Sequence, residues 1–219
     1  MSFHLMMVDA EIERLPIEAM AGPAPITCCT SGSDARGIRV LDTNLHQDLL
    51  STMPDRSRRG RPDIAHAFLV MALGSEHRTE GKLDALVHTR DNVVIRFARK
   101  ARVDKDYTKF LWMITRLFEG GLVGMGEWRI SMESEQTLPK LLETEKLDAI
   151  IGLSPKGKSQ DLQATLATFQ AKEVGIIIGG FPEGDYISPV YELADLVVSL
   201  GDELLTVPEV TAQVLAAIP

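Results

Sequence analysis

The chain has 219 residues, of which 45% are hydrophobic, 25% charged and 5% aromatic. This is ordinary globular composition, and it excludes a disordered, collagenous or disulfide-stapled chain. A chain of this length buries about 70% of its unfolded surface around one core, so a single domain over residues 1–219 is expected.

The formal net charge is −8, from 23 basic and 31 acidic side chains. The charge is unevenly placed: residues 1–50 carry 3 basic and 7 acidic side chains, residues 51–116 carry 14 and 8, and residues 117–219 carry 6 and 16. A basic segment inside an acidic protein reads either as a solvated face or as an electrostatic footprint for phosphates. The only cysteines are the adjacent Cys28 and Cys29. They read as reduced thiols in a cytoplasm. No apolar run reaches the ~18 residues of a membrane span, and Met1 to Val8 has no basic region before it, so neither an anchor nor a signal peptide is expected.

Taken in order, Phe3 to Val8 reads as a first apolar strand. Ala21 to Ser33, rich in Pro, Gly, Ser and Thr, reads as a loop. Residues 38–50 have room for a short helix, and residues 54–60 form a basic loop. The apolar spacing of Ile64, Phe68, Leu69, Met71 and Ala72 predicts a helix over 63–73. Leu83 to His88 and Asn92 to Phe97 read as a hairpin around Thr89, Arg90 and Asp91. An amphipathic helix is expected over 107–118, stopped by Gly120 and Gly121. A strand over 128–132 and a helix over 138–145 follow. The last third alternates apolar strands at 147–153, 174–180 and 196–200 with helices at 160–169 and 207–218. That alternation predicts a parallel sheet covered on both faces. Each of these strands runs into a glycine-bearing loop, and ligands of open α/β sheets bind at such carboxyl ends.

Several chemistries are excluded. Gly121, Gly124 and Gly126 are spaced G-x-x-G-x-G, the wrong order for a dinucleotide fingerprint, and they follow a helix. Lys156 and Lys158 flank Gly157 without Walker A spacing. The five histidines show no metal-ligand spacing, so no metal is expected. Ser154 and Ser188 each precede a proline and lie in no G-x-S-x-G context.

Five stretches, in one order, carry a resemblance. They are Val40 to His46 (VLDTNLH), Arg61 to His66 (RPDIAH), Lys82 to Thr89 (KLDALVHT) with Asn92 to Ile95 (NVVI), Ala101 to Phe110 (ARVDKDYTKF), and Ile178 to Asp185 (IGGFPEGD). Together they resemble the Nep family of ribosome-biogenesis pseudouridine-N1 methyltransferases, of the SPOUT class, and point to its archaeal branch. The resemblance implies an α/β fold with a trefoil knot, a mainly parallel sheet flanked by helices and a family-specific insertion in the first half. Residues 37–116 would be a basic RNA-binding elaboration and residues 147–219 the cofactor-binding knot region.

The implied activity is methylation of N1 of a pseudouridine in small-subunit ribosomal RNA, with S-adenosylmethionine as cofactor. The implied partners are an rRNA hairpin loop, a second copy of the chain, and ribosomal proteins or assembly factors. A non-catalytic rRNA-binding assembly factor is the alternative reading. By the same resemblance, Gly152, Leu153, Ile178, Gly179, Gly180, Gly184, Leu200, Leu205 and Thr206 would hold the cofactor. Asp63 and Arg61 would carry the chemistry, with a helix-start capping role for Asp63 equally open. Arg59, Arg61, Arg99, Arg102, Lys105 and Lys109 would bind RNA, and Arg56, Arg58, Arg96 and Lys100 would widen the patch. Tyr107 reads as a core-facing or capping ring more than a stacking one. The chain departs from the family pattern at Glu183, where the family carries histidine, and across Leu200 to Val207.

Overall fold

The computed structural model describes residues 1–16, 37–169, 172–201 and 203–219. The loop expected at 21–33 and both cysteines lie outside the described residues. Eight strands are described: β1 (Ser2–Ala10), β2 (Leu83–Thr89), β3 (Val94–Phe97), β4 (Leu122–Val123), β5 (Ile130–Glu133), β6 (Ala149–Ser159), β7 (Glu173–Gly179) and β8 (Leu196–Ser199). The helices are α1 (Gln47–Ser51), α2 (Pro62–Gly74), α3 (Glu76–Glu80), α4 (Tyr107–Gly120), α5 (Leu138–Glu145), α6 (Leu162–Thr168), α7 (Val190–Leu193) and α8 (Val207–Ala217).

The strands form one sheet in the order β4-β5-β3-β2-β1-β7-β6-β8. The five from β2 to β8 pair in parallel. β3, β5 and β4 extend it antiparallel, so the sheet is mixed and its parallel part is confined to one side. β1 is apolar at successive positions because both its faces are covered. Phe3, Leu5 and Met7 join a core with α2, α4 and α8, while Met6 and Val8 join a second core with α5 and α7. Phe68 and Phe110 are fully buried in the first core, and truncating either to alanine costs about 3–5 kcal/mol.

Local chemistry sets the helix ends. Pro62 opens α2 with a missing N–H that no helix bond needs, and Asp63 places a carboxylate in its first turn. The Asp106 carboxylate accepts the Lys109 N–H at 3.2 Å to start α4, and Gly121 at φ +68 ends it. Thr206 and Glu209 form a reciprocal capping box at α8.

The structure differs from the sequence reading at several points. β6 continues to Ser159 instead of stopping at Leu153. Leu153 and Lys158 both pair with Val198, so residues 154–157 bulge out and the strand rejoins β8. A Cβ on Gly157 would lie 2.6 Å from the Val198 carbonyl carbon, so glycine is what lets the chain return so closely. β5 begins at Ile130, because residues Gly126–Trp128 form a 3-10 turn. α3, α7 and β4 are too short to leave a periodic signal.

Candidate active site

In the sheet, β6 lies between β7 and β8, so the chain leaves β6 toward one neighbour and later returns on the other side. The loops at these three carboxyl ends enclose a cleft of about 380 Å³. That lies within the 300–1,000 Å³ typical of small-molecule sites, and the place is a topological switch point. Leu153, Ile178, Phe181, Val198, Leu200, Leu205 and Val210 supply an apolar lining. Ser154, Glu183, Asp185, Ser199, Glu203 and Thr206 add a few polar groups.

The middle loop is braced from below. Asp9, at the end of β1 with φ +55, is buried. Its carboxylate accepts the N–H groups of Ile187 and Ser188 at 2.7 and 2.9 Å and the Ser188 hydroxyl at 2.6 Å. Tyr186 donates its hydroxyl to the Leu153 carbonyl at 2.8 Å, tying the middle loop to the first. Burial pushes the Tyr186 phenol up, so it stays a donor. Asp185 accepts Lys156 at 2.5 Å and the Tyr191 hydroxyl at 2.6 Å. A Cβ on Gly179 would sit 2.8 Å from the Phe181 ring, so any side chain there displaces a wall of the cleft. Gly184, at φ +87, permits the turn above it.

A second cluster adjoins the cleft. The Glu11 N–H donates to the Gly180 carbonyl at 3.2 Å, and the Arg61 N–H donates to the Glu11 carbonyl at 3.2 Å. The start of α2 is therefore two backbone bonds from the middle loop. Arg61 donates through Nε and Nη2 to the two oxygens of Asp63, both at 2.8 Å. This in-plane fork raises the Arg61 pKa. The two side chains remain 33% and 41% exposed, so the pair is open to a substrate. His66 donates to the Asp104 carbonyl at 2.8 Å and packs 4.8 Å from the Phe110 ring. Tyr107 donates to the Asp42 carboxylate, and burial with that carboxylate raises its phenol pKa. The segments 40–46, 61–66 and 101–110, far apart in sequence, thus meet beside one cleft.

A family model described as EMG1/NEP1 methyltransferase matches residues 5–218. The chain belongs to the EMG1/NEP1 methyltransferase family. A ribosomal RNA small subunit methyltransferase Nep1 from Methanothrix thermoacetophila is 32% identical over 211 residues, covering 96% of this chain and 92% of the relative. The protein of the same name from Thermococcus onnurineus is 34% identical over 190 residues, covering 85% of each. The crystal structure of Archaeoglobus fulgidus Nep1 bound to S-adenosylhomocysteine superposes with a TM-score of 0.80 at 25% identity, covering 99% of this chain and 97% of that one.

The sequence-predicted residues divide. Leu153, Ile178, Gly179, Gly184, Leu200, Leu205 and Thr206 line the cleft. Gly152 and Gly180 do not. A Cβ on Gly152 would press on Val190 at 3.1 Å, and one on Gly180 would lie 2.6 Å from the Ala10 Cα, so both pack behind the wall. Thr206 spends its N–H and hydroxyl on Glu209.

Among the basic residues, Arg61 does not line the cleft but is tied to its middle loop through the Glu11 backbone, and Lys105 and Lys109 are exposed on the 101–110 segment. Lys109 pairs loosely with Asp104 at 3.1 Å. Arg102 is exposed, with Nη1 on the Ala101 carbonyl. Arg59 is committed to the buried Glu13. Arg99 lines a different groove of about 510 Å³ at the amino ends of the parallel strands, with Arg78, Arg96, Arg129, Asp84, Glu133 and Glu145. Arg58, Arg96 and Lys100 also hold carboxylates.

Sequence reasoning missed Asp9, Glu11 and Glu13 as organisers of the site. Their alternate spacing directly after an apolar strand was the available signal. Among the described residues no His, Cys, Asp or Glu cluster could hold a metal ion, and no helix is long and apolar enough to cross a membrane.

Proposed function

We propose that this chain is an S-adenosylmethionine-dependent methyltransferase that modifies N1 of a pseudouridine in a small-subunit rRNA hairpin loop. In this reading it works as a cytoplasmic homodimer in ribosome biogenesis, alongside ribosomal proteins or assembly factors. The observation that carries the reading is the junction of an apolar strand-end cleft with the open Arg61–Asp63 pair. The names of the archaeal relatives and the S-adenosylhomocysteine in the Archaeoglobus structure support it.

The cleft suits the cofactor chemically. Its apolar walls fit an adenine and a thioether chain, and the carboxylates of Glu183 and Glu203 suit hydroxyl and ammonium donors. Leu153, Ile178, Gly179, Gly184, Leu200, Leu205 and Thr206 hold it, with Gly152 and Gly180 shaping the wall. Residues 147–219 form the cofactor region, with the trefoil knot implied by the family likeness. Residues 37–116 form the RNA side, led by Arg61, Arg102, Lys105 and Lys109.

When bound, the sulfonium cofactor supplies an activated methyl carbon. The work left to this chain is alignment and removal of the ring-nitrogen proton. Alignment of two held reactants contributes up to about 7–11 kcal/mol. The target base must be presented unstacked, as loop bases are. Asp63, fixed in plane by Arg61, accepts the hydrogen bond of the ring N1–H and lowers the cost of its departure. Arg61 remains free on its outer edge to meet a phosphate.

The test is methyl transfer from labelled S-adenosylmethionine to two hairpins that differ only in uridine or pseudouridine at one loop position. Label in the pseudouridine hairpin alone is the expected result. Tight binding of both hairpins without transfer would contradict it.

A further inference from the structure

The basic loop at 54–61 and the cleft wall meet at one side chain. Arg58 is only 11% exposed. Its Nε donates to the Glu11 carboxylate at 2.5 Å, and its Nη1 donates to the Asp185 carbonyl at 2.5 Å. Its guanidinium carbon lies 4.0 Å from the centre of the Phe181 ring. Phe181 and Asp185 are both walls of the cleft. Glu11 is fully buried and takes a second cation, Arg90, at 2.9 Å. The Glu11 backbone is bonded to Gly180 on one side and to Arg61 on the other.

An arginine that served only to attract phosphate would keep its guanidinium in water. Arg58 instead spends an edge on a buried carboxylate, another on a cleft carbonyl and a face on an aromatic ring. A planar fork does all three at once, and a lysine ammonium cannot. Its Nη2 is buried and has no hydrogen-bond partner among the described residues, so one donor is left unspent beside the wall.

We infer that Arg58 is a positioning residue that couples RNA engagement by residues 54–66 to the shape of the cofactor cleft. The inference rests on the function proposed above. RNA that settles the 54–61 loop settles Phe181 and Asp185 through Arg58, and a cofactor held against Phe181 settles the loop in return. Such coupling is reciprocal by thermodynamic necessity.

The test measures binding of a labelled pseudouridine hairpin with and without saturating S-adenosylhomocysteine, in the wild type and in Arg58→Lys. The wild type is expected to bind the hairpin at least about 5-fold more tightly with S-adenosylhomocysteine present, the lower end of ordinary coupling. In Arg58→Lys that ratio is expected to fall to about 1, with either ligand alone bound within roughly 3-fold of wild type. A merely structural arginine would weaken both ligands together and leave the ratio intact. If circular dichroism shows Arg58→Lys unfolded, Phe181→Leu, which removes the ring but keeps the Glu11 pair, is read for the ratio alone, because Phe181 itself lines the cleft and its loss also weakens S-adenosylhomocysteine. A ratio of 1 in the wild type, or a full ratio in the variant, overturns the inference. A wild type that binds neither ligand overturns the proposed function instead.

Discussion

In the function proposed above, the cleft between β6, β7 and β8 recognises its ligand by shape. Three loops, small residues and apolar walls leave a space, and few charges take part. In the same reading residues 37–116 recognise by charge, and many of the charges are already spent. Arg58 and Arg90 hold Glu11, Arg59 holds Glu13, Arg78 holds Asp84, and Arg96 holds Glu145. The local surplus of basic residues is therefore partly an internal ladder that fixes the loops against β1 and the sheet. In the function proposed above, what remains for a nucleic acid is narrower: Arg61, Arg102, Lys105 and Lys109. A count of charges overstates a binding surface wherever buried carboxylates from another segment answer them.

The largest expected effect lies where the two regions meet. Asp63→Asn should lower turnover at saturating RNA by about 10²–10⁴-fold, the usual contribution of a positioned acid–base group. S-adenosylhomocysteine affinity should stay unchanged by calorimetry, and normal turnover would return Asp63 to a helix-start role. The internal ladder comes next. Glu13→Ala strands Arg59, and breaking a buried pair costs about 3–5 kcal/mol, so Tm should fall by roughly 10 °C in a thermal melt. A Tm within about 2 °C of wild type would make that pair peripheral, as surface pairs are.

The cleft side is sharpened by Gly179→Val. A Cβ 2.8 Å from the Phe181 ring must move that wall, and S-adenosylhomocysteine affinity should drop at least about 10-fold, or 1.4 kcal/mol. Hairpin affinity without cofactor should hold. On the charge side, Lys105→Gln should weaken hairpin binding only a few-fold and reduce the slope of log K against log salt by about 1. The smallest effect belongs to Lys100→Gln. Lys100 and Glu127 are both more than half exposed, and unfolding by urea should shift by no more than about 0.5 kcal/mol.

The two regions also differ in how far sequence exposes them. The apolar strands of the last third, alternating with helices, locate the sheet and the end that carries the cleft, because buried parallel strands must be continuously apolar. Seven of the nine residues assigned to the cofactor by family likeness line the cleft. Gly152 and Gly180 do not, since a glycine in a loop motif serves close packing as readily as ligand approach. β6 ran past its expected end because Gly157 permits a second pairing with β8, a tertiary event with no periodic signature. Among the arginines the sequence carried no information on pairing. Whether Arg59 reaches a phosphate or Glu13 depends on where the chain leaving β1 places Glu13, 46 residues earlier.

The division of labour between cleft and basic segment is tested most directly by hydrogen exchange followed by mass spectrometry. The chain would be measured alone, with S-adenosylhomocysteine, and with the pseudouridine hairpin. S-adenosylhomocysteine is expected to protect backbone amides around 153–155, 178–185 and 198–206, and the hairpin those of 54–66 and 101–110. S-adenosylhomocysteine protection centred on the groove of Arg99 and Arg129, or hairpin protection absent from 54–66, would contradict that division of labour.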